Sequence, residues 1–400
     1  MPVKSNIILF DDNFRDNLLP LTFTRPVAEL RVGITTLKQK WERISETMCS
    51  YHTQPYLASK YPEILRKNNL FINGGIIPDD QIAKHIFALK EGQVLKNDDT
   101  LIAYYGNSYQ DPSQLLEAGK NAVHYPESFL HIKHPWDIFT YNEKVIHDDF
   151  RRLTAGRKSQ NLSNTNKILG REYIFVEEGA SLEYATINAT TGPVYIGSDA
   201  EIMEGAVIRG PLAMCDHSVL KMGAKVYGAT TLGPYCKVGG EVHNSVFTGY
   251  SNKAHDGYLG DAVIGEWCNL GADTNNSNLK NNYDKVKVWD YSRNRFVNTG
   301  LQFCGLIMGD HSKCAINTMF NTGTVVGVSA NIFGAGFPRN FIPSFSWGGS
   351  AGYIVYKINK ALETAEIVMA RRNIELSDAD RQILTHVYQV TENYRKYWSA

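Results

Sequence analysis

Two stretches of this sequence gather side chains that can do chemistry. The first runs Ser251-Asn252-Lys253-Ala254-His255-Asp256-Gly257-Tyr258-Leu259-Gly260-Asp261-Ala262, followed by Ile264-Gly265 and Asn269-Leu270-Gly271-Ala272. An imidazole titrates near neutrality, so His255 is of the type that can take a proton from a reacting group. A histidine standing alone is more often a surface or satisfied side chain. His217, His243 and His311 show no metal-ligand spacing and read as structural. The second stretch lies near the N-terminus, where Asp11 and Asp12 precede Arg15, Arg25 and Arg31. Carboxylates of this kind can hold a metal, as could Asp79, and the arginines can neutralise phosphate.

The elements that position these residues must come from a chain of 400 residues, enough for two or three domains. Lys and Arg number 41 against 41 Asp and Glu, so nothing in the charge points to nucleic acid or an anionic membrane. With 43% hydrophobic and 20% charged residues the composition is that of a soluble globular protein. Cys49, Cys215, Cys236, Cys268, Cys304 and Cys314 show no C-x-x-C spacing, which argues against a zinc knuckle and favours a reducing compartment. The apolar run Ile7–Phe10 is too short for a signal peptide or a membrane span, so a cytoplasmic protein is expected.

A repeat dominates the middle of the chain. Stepping by six from Ile196 meets Ile202, Ile208, Met214, Leu220, Val226, Leu232 and Val238. The register is lost near Asn244, resumes at Ile264 and Leu270, and returns at Met308, Cys314, Phe320, Val326 and Ile332. Two interruptions are therefore expected, at 244–260 and 277–303. A period of six belongs to neither a helix nor an ordinary strand. It gives one flat face per hexad, three faces per triangular coil, and an apolar column inside. The spacing predicts a left-handed parallel β-helix over residues 170–346.

On either side the patterns differ. Residues 1–152 alternate strands with helices: Asn6–Phe10, a helix over Val32–Ile44, a strand at Leu70–Asn73, a helix over Asp80–Leu89 and a strand at Thr100–Tyr105. That alternation predicts an α/β domain on a parallel sheet, closed by Pro135–Phe139 and Asn142–Phe150. The polar, Ser/Asn-rich residues 153–169 read as a linker. Residues 350–400 read as a C-terminal helical cap, with one helix over Tyr353–Arg372 and a second opened by a capping box at Ser377 and Asp380.

The His255 string resembles the acetyltransferase half of the bacterial bifunctional N-acetylglucosamine-1-phosphate uridyltransferase/glucosamine-1-phosphate acetyltransferase family. That family has Ser-Lys-Ala-x-His-x-x-Tyr-Leu-Gly-Asp-Ala, then Ile-Gly, then Asn-Ile-Gly-Ala-Gly-Thr. The resemblance implies that His255 is the base for attack of a sugar amine on a thioester. It likewise implies that Tyr258 and Asn269, with Lys225 and His243, contact a sugar phosphate, and that acetyl-CoA lies near Ala272 and Asn278. Lys225 stands where the family has an arginine, and His243 where it has the first of two lysines. The family's Asn-Tyr-Asp matches either Asn278-Leu279-Lys280 or Asn282-Tyr283-Asp284. Leu279–Gly300 also resembles archaeal-type fused enzymes, in which Asn278 and Lys285 would be functional.

Residues 18–33 carry Pro20-Leu21-Thr22, Thr24 and Pro26, and resemble the signature of sugar-1-phosphate nucleotidyltransferases. Leu70-Phe71-Ile72-Asn73-Gly74 resembles the family's strand ending in Asn/Ser-Gly-Asp. The first 152 residues are thereby expected to be nucleotidyltransferase-like (Rossmann-like). The resemblance implies nucleotide contacts at Arg15, Arg25, Asn73 and Gly74, with Mg²⁺ held by Asp11 and Asp12. Three chemical parts of the family are missing. The Gly-rich loop is replaced by Phe10-Asp11-Asp12-Asn13, the lysine by Val27, and the metal aspartate by Gly75.

Together the resemblances imply a homotrimeric transferase of UDP-N-acetylglucosamine biosynthesis. It acetylates glucosamine-1-phosphate with acetyl-CoA and couples the product to UTP. Its partners are small molecules only: sugar-1-phosphate, nucleoside triphosphate and acetyl-CoA. Two alternatives stay open. One is a nucleotidyltransferase for a sugar such as glucose-1-phosphate with a purely oligomerising β-helix. The other is a non-catalytic sugar-nucleotide sensor.

Overall fold

A computed structural model describes residues 5–98, 100–111, 115 and 121–396. The chain divides into two compact units. One comprises residues 1–18, 24–30 and 35–134, the other 19–23, 31–34 and 135–400.

The first unit is built on six strands: β1 (Asn6–Phe10), β2 (Cys49–His52), β3 (Asn69–Asn73), β4 (Val94–Asn97), β5 (Thr100–Gly106) and β6 (Ala122–His124), in spatial order β2-β1-β3-β5-β4-β6. Helices α1 (Leu37–Ser45) and α2 (Asp80–Phe87) accompany the sheet. β1 is parallel to β2 and β3, as expected. The sheet as a whole is mixed, because β5 runs antiparallel to both β3 and β4. The reason is local. Only two residues separate β4 from β5, and so short a connection joins antiparallel strands. Buried Ile7, Leu9, Leu70 and Ile72 form the core with Trp41 of α1. α1 starts at Leu37, later than the expected Val32, because Thr36 and Gln39 form a reciprocal capping box there.

In the second unit the hexads wind a parallel β-helix. Ile196 pairs with Met214, Ile202 with Leu220, and Ile208 with Val226, each three hexads on. All of these side chains are essentially inaccessible. Each contributes about 1.5–3 kcal/mol by leaving water. The first face carries Lys225–Tyr227, Glu241–His243 and Tyr258–Gly260. The second carries Thr230–Leu232, Val246–Gly249 and Val263–Glu266. The third carries Lys237–Val238, Asn252–Lys253, Asn269–Leu270 and Lys313–Cys314.

The two interruptions differ in kind. Residues 244–260 are not a break: the coil continues, with Val226 facing Val242 and Leu232 facing Phe247. Two or three residues are deleted from the coil, which shifts the sequence register and leaves the stack intact. Residues 277–303 do leave the coil, carrying an antiparallel hairpin of Lys287–Asp290 with Arg295–Asn298.

Pro135–Thr154 forms a single helix, α3, within this second unit. Asn142 donates to the Ala229 carbonyl oxygen and accepts from Gly33 N, while Asp149 accepts from Ile34 N. Arg31 donates to the Thr248 carbonyl oxygen at 3.1 Å. Residues 31–34 are therefore committed to hydrogen bonds with this unit and cannot begin α1. At the far end, Gly352–Val355 is a strand against Ser346–Gly349, so the helix expected over Tyr353–Arg372 is shortened to α4 (Ile358–Ala370). α5 (Asp378–Val390) opens on the expected Ser377–Asp380 capping box. No helix among the described residues is long and apolar enough to cross a membrane.

Candidate functional site

His255 stands at the corner where the third face turns into the first. The turn needs Gly257, whose φ of 114° is a conformation side chains rarely adopt. His255 itself is exposed, and its ring makes no hydrogen bond among the described residues. Its backbone is held from inside the coil. Lys253 takes an inward slot in line with Val238 and is 1% exposed. Its Nζ donates to the carbonyl oxygens of Gly239 at 3.0 Å and His255 at 2.8 Å. Burial lowers the Lys253 amine to about 8, against the pull of Asp256 and Asp273.

On the third face, Asn269 lies in register between Asn252 and Lys313. His255, Asn269 and Ala272 line one cleft of about 650 Å³, together with Lys237 and Lys313 from the face and Arg371 and Arg372 from the end of α4. A second groove, along the corner itself, also touches His255 and Ala272.

Around the corner, on the first face, a different group assembles. Asp261 is buried and accepts from Asn278 Nδ2 at 2.6 Å and Asn244 Nδ2 at 2.7 Å. The Asn278 amide also donates to the Tyr258 hydroxyl at 3.0 Å. His243 Nδ1 lies 3.7 Å from Asp261, and the His243 ring is 4.9 Å from that of Tyr227, centroid to centroid. Burial, with the nearby Asp261 charge, pushes the Tyr258 hydroxyl up to about 12, so it stays a neutral donor. Lys225 is exposed on the same face, paired with Glu241 in the strand register.

The expected solenoid residues thus fall into two neighbouring groups flanking one corner. His255, Asn269 and Ala272 share the cleft, while Tyr258, His243 and Lys225 share the first face and Asn278 reaches Tyr258 from the excursion. Lys285 is in neither: it is exposed on the excursion, where its carbonyl oxygen accepts from Lys280. Sequence reasoning passed over Asp261, Lys253, Lys237, Lys313, Arg371 and Arg372. Asp261 and Lys253 sit within the quoted string, so only their roles were hidden. The arginines are far away in sequence and were read as part of a cap.

In the first unit, Asp11, Asp12, Arg15 and Asn73 meet beyond the carboxyl ends of β1 and β3, where open α/β sheets bind ligands. Asp11 accepts from Val27 N at 2.8 Å and Thr53 Oγ1 at 2.6 Å, with Arg15 Nε at 3.6 Å. Burial raises its carboxyl to about 6. Asp12 accepts from Phe14 N and from Asn73 Nδ2, and its Oδ2 lies 3.0 Å from His131 Nε2. Burial opposes ionisation at Asp12, but His131 and Asn73 outweigh it and hold the carboxyl below its ordinary value. Arg25 is buried. Gly74 donates its N–H to the Phe10 carbonyl oxygen.

These residues do not fit a resident Mg²⁺. A hard cation needs several free oxygen ligands. Each oxygen of Asp11 and of Asp12 already accepts from a protein donor. No group of three His, Cys, Asp or Glu able to hold a metal occurs among the described residues. At Gly75, where the resembling family has its metal aspartate, a Cβ would meet the His131 ring at 3.0 Å. His131 fills that room.

Residues 7–158 match the family model for sugar nucleotidyl transferases. Over 213 residues, 53% of this chain and 46% of the relative, the sequence is 28% identical to a bifunctional sugar-1-phosphate nucleotidylyltransferase/acetyltransferase of Sulfurisphaera tokodaii. It is 27% identical over 223 residues to the bifunctional protein GlmU of Methanococcus maripaludis, covering 56% of this chain and 47% of the relative. It is 26% identical over 294 residues to that of Methanocaldococcus jannaschii, covering 64% and 69%. The chain spans about half the length of the first two of these relatives. Residues 7–158 are accordingly a sugar nucleotidyl transferase domain, carried in one chain with a parallel β-helix, and the chain is related to the bifunctional sugar-1-phosphate nucleotidylyltransferase/acetyltransferases.

Proposed function

We propose that this protein is a bifunctional transferase of UDP-N-acetylglucosamine biosynthesis, and that its β-helix acetylates glucosamine-1-phosphate with acetyl-CoA. One observation carries the reading: His255 is exposed on a cleft that it shares with Asn269 and Ala272, one corner away from the Tyr258–Asn278–Asp261 group. The amine nitrogen bonds to the acetyl carbon, the C–S bond breaks, and CoA leaves as the thiolate. His255 takes the amine proton, a step worth roughly 10²–10⁴-fold. Tyr258, Asn269, His243 and Lys225 hold the sugar phosphate, and Ala272 and Asn278 border the acetyl-CoA.

In this reading residues 1–152 are the nucleotidyltransferase domain, 153–169 a linker, 170–346 the acyltransferase domain and 350–400 a helical segment. The product is coupled to UTP in the first of these, with Arg15, Arg25, Asn73 and Gly74 at the nucleotide. No step is assigned to Mg²⁺, because Asp11 and Asp12 are already occupied. A homotrimer in the cytoplasm completes the proposal. All six cysteines are free and buried, which suits a reducing compartment.

The test is mass spectrometry of the purified protein with acetyl-CoA and glucosamine-1-phosphate. Acetylated sugar phosphate from wild type, and none from His255→Ala, supports the reading. Equal inertness of both proteins sinks it. Pyrophosphate release with UTP and N-acetylglucosamine-1-phosphate, abolished in Arg25→Ala, is the matching assay for the first domain.

A further inference from the structure

His131 reaches the carboxyl ends of β1 and β3 from a segment far along the chain. Residues 130–132 run antiparallel beside 75–77. His131 bridges Ile76, Ile77 N donates to the Leu130 carbonyl oxygen at 3.0 Å, and Ile132 N donates to that of Gly75 at 2.9 Å. His131 is 5% exposed, its ring edge-on to Phe14 at 5.4 Å and beside Phe129 at 6.3 Å between centroids. Its Nε2 lies 3.0 Å from Asp12 Oδ2, while its Nδ1 is buried with no hydrogen-bond partner among the described residues. That asymmetry favours the tautomer with the proton on Nε2, in which the ring donates to Asp12.

We infer that His131 takes the place of a divalent cation in this unit: with Asn73 it holds Asp12 as a structural carboxylate, and the unit binds a nucleoside diphosphate sugar without a resident metal ion.

The carboxylates are already filled with donors. Asp12 Oδ2 accepts from Asn73 Nδ2 at 2.8 Å as well as facing His131, and Oδ1 accepts from Phe14 N at 2.9 Å. Asp11 accepts from Val27 N and Thr53 Oγ1, with Arg15 Nε at 3.6 Å. A hard cation would have to strip these donors away to gather its oxygen ligands. Asp79, the remaining acidic candidate, caps α2 through Gln81 N and Ile82 N. The space is filled as well. A Cβ at Gly75 would lie 3.0 Å from His131 Cδ2 and Nε2, and the paired backbone of 130–132 keeps the ring there. The charge is matched too. Arg15 stands against Asp11 and the His131 donor against Asp12, so the pair neither attracts a dication nor repels a phosphate as bare carboxylates would. His131 thus acts through Asp12 on the turn that follows β1, as a positioning residue.

Manganese titration of the full chain, followed by the electron paramagnetic resonance signal of free Mn²⁺, tests this. Wild type is expected to leave the signal of equimolar Mn²⁺ unquenched. Gly75→Asp/His131→Ala, which opens the room and supplies a carboxylate, is expected to take up a single ion. An ion bound by wild type and released by Asp12→Asn overturns the inference. So does a folded double variant that takes up no more Mn²⁺ than wild type, since His131 would then not be what keeps the metal out. A second measurement needs no variant and serves if the double variant folds poorly. Isothermal titration of wild type with UDP-N-acetylglucosamine is expected to give the same affinity, within about twofold, in EDTA and in Mg²⁺. Affinity raised about tenfold or more by Mg²⁺ also overturns the inference. The choice of ligand rests on the proposed nucleotidyl transfer. Absence of binding in both buffers sinks that reading of the first unit, and the manganese titration still decides the metal.

Discussion

The Nζ of Lys253 lies 2.8 Å from the carbonyl oxygen of His255, inside a coil whose other inward positions are mostly apolar. The lysine ties the backbone of the candidate base to the preceding coil through Gly239. It therefore acts as a positioning residue, and its burial has a measurable signature. The Lys253 amine titrates near 8 in the folded protein and near 10.5 when unfolded. Below pH 8 both states are protonated and the burial penalty is complete. Between 8 and 10.5 the unfolded chain binds the extra proton, so this lysine's penalty shrinks as pH rises. The buried cysteines act in the opposite direction above about pH 9, so the effect is read as a difference. From pH 7 to pH 9.5, the stability of Lys253→Met relative to wild type is expected to fall by about 2 kcal/mol in urea unfolding. An unchanged difference would show that the amine is not held in this way.

His255→Ala should leave the fold untouched, because the ring is exposed and makes no hydrogen bond among the described residues. The expected result is an unchanged melting temperature with acetyl transfer slower by roughly 10²–10⁴-fold. Single-turnover assays on refolding-competent protein check it. A loss smaller than tenfold would assign the proton transfer to another group.

Gly257→Ala tests the corner. A Cβ there would run into the Thr274 carbonyl oxygen, at a φ of 114° that alanine resists. Destabilisation of at least about 2 kcal/mol is expected, because the backbone can neither keep the turn nor relax within a stacked coil. Equilibrium denaturation measures it, and a neutral substitution would mean the corner is looser than drawn.

Asp261→Asn keeps the size of the side chain and removes the charge that orders Asn278 and Asn244. Hydrogen bonds to a charged group contribute about 1.5–3 kcal/mol. With Tyr258 at the sugar phosphate and Asn278 at the acetyl-CoA, KM for glucosamine-1-phosphate and KM for acetyl-CoA should both rise about tenfold or more. Saturation kinetics with each substrate in turn decide this, and an unchanged KM for both would remove Asp261 from the site.

The hexads made the solenoid legible in the sequence, since a period of six has one simple geometric solution. The same reading took 244–260 for a break. A deletion of two or three residues within a coil shifts the register along the chain but not the pairing between coils, as Leu232 facing Phe247 shows. The string from Ser251 to Ala262 marked His255, Tyr258 and, unrecognised, Lys253 and Asp261, because all lie within one turn of chain. What sequence could not supply was which residues share a surface. Whether His255 faces Asn269 or Tyr258 depends on the corner at Gly257, and Arg371 and Arg372 reach Lys237 only because α4 returns along the third face. In the first unit, spacing located Asp11, Asp12 and Asn73 near strand ends. Only the fold brought His131 into the room beside Gly75 and so closed the place a metal would need. Local periodicity sets each element, but side chains distant in sequence meet only through packing, and it is packing that composed this site.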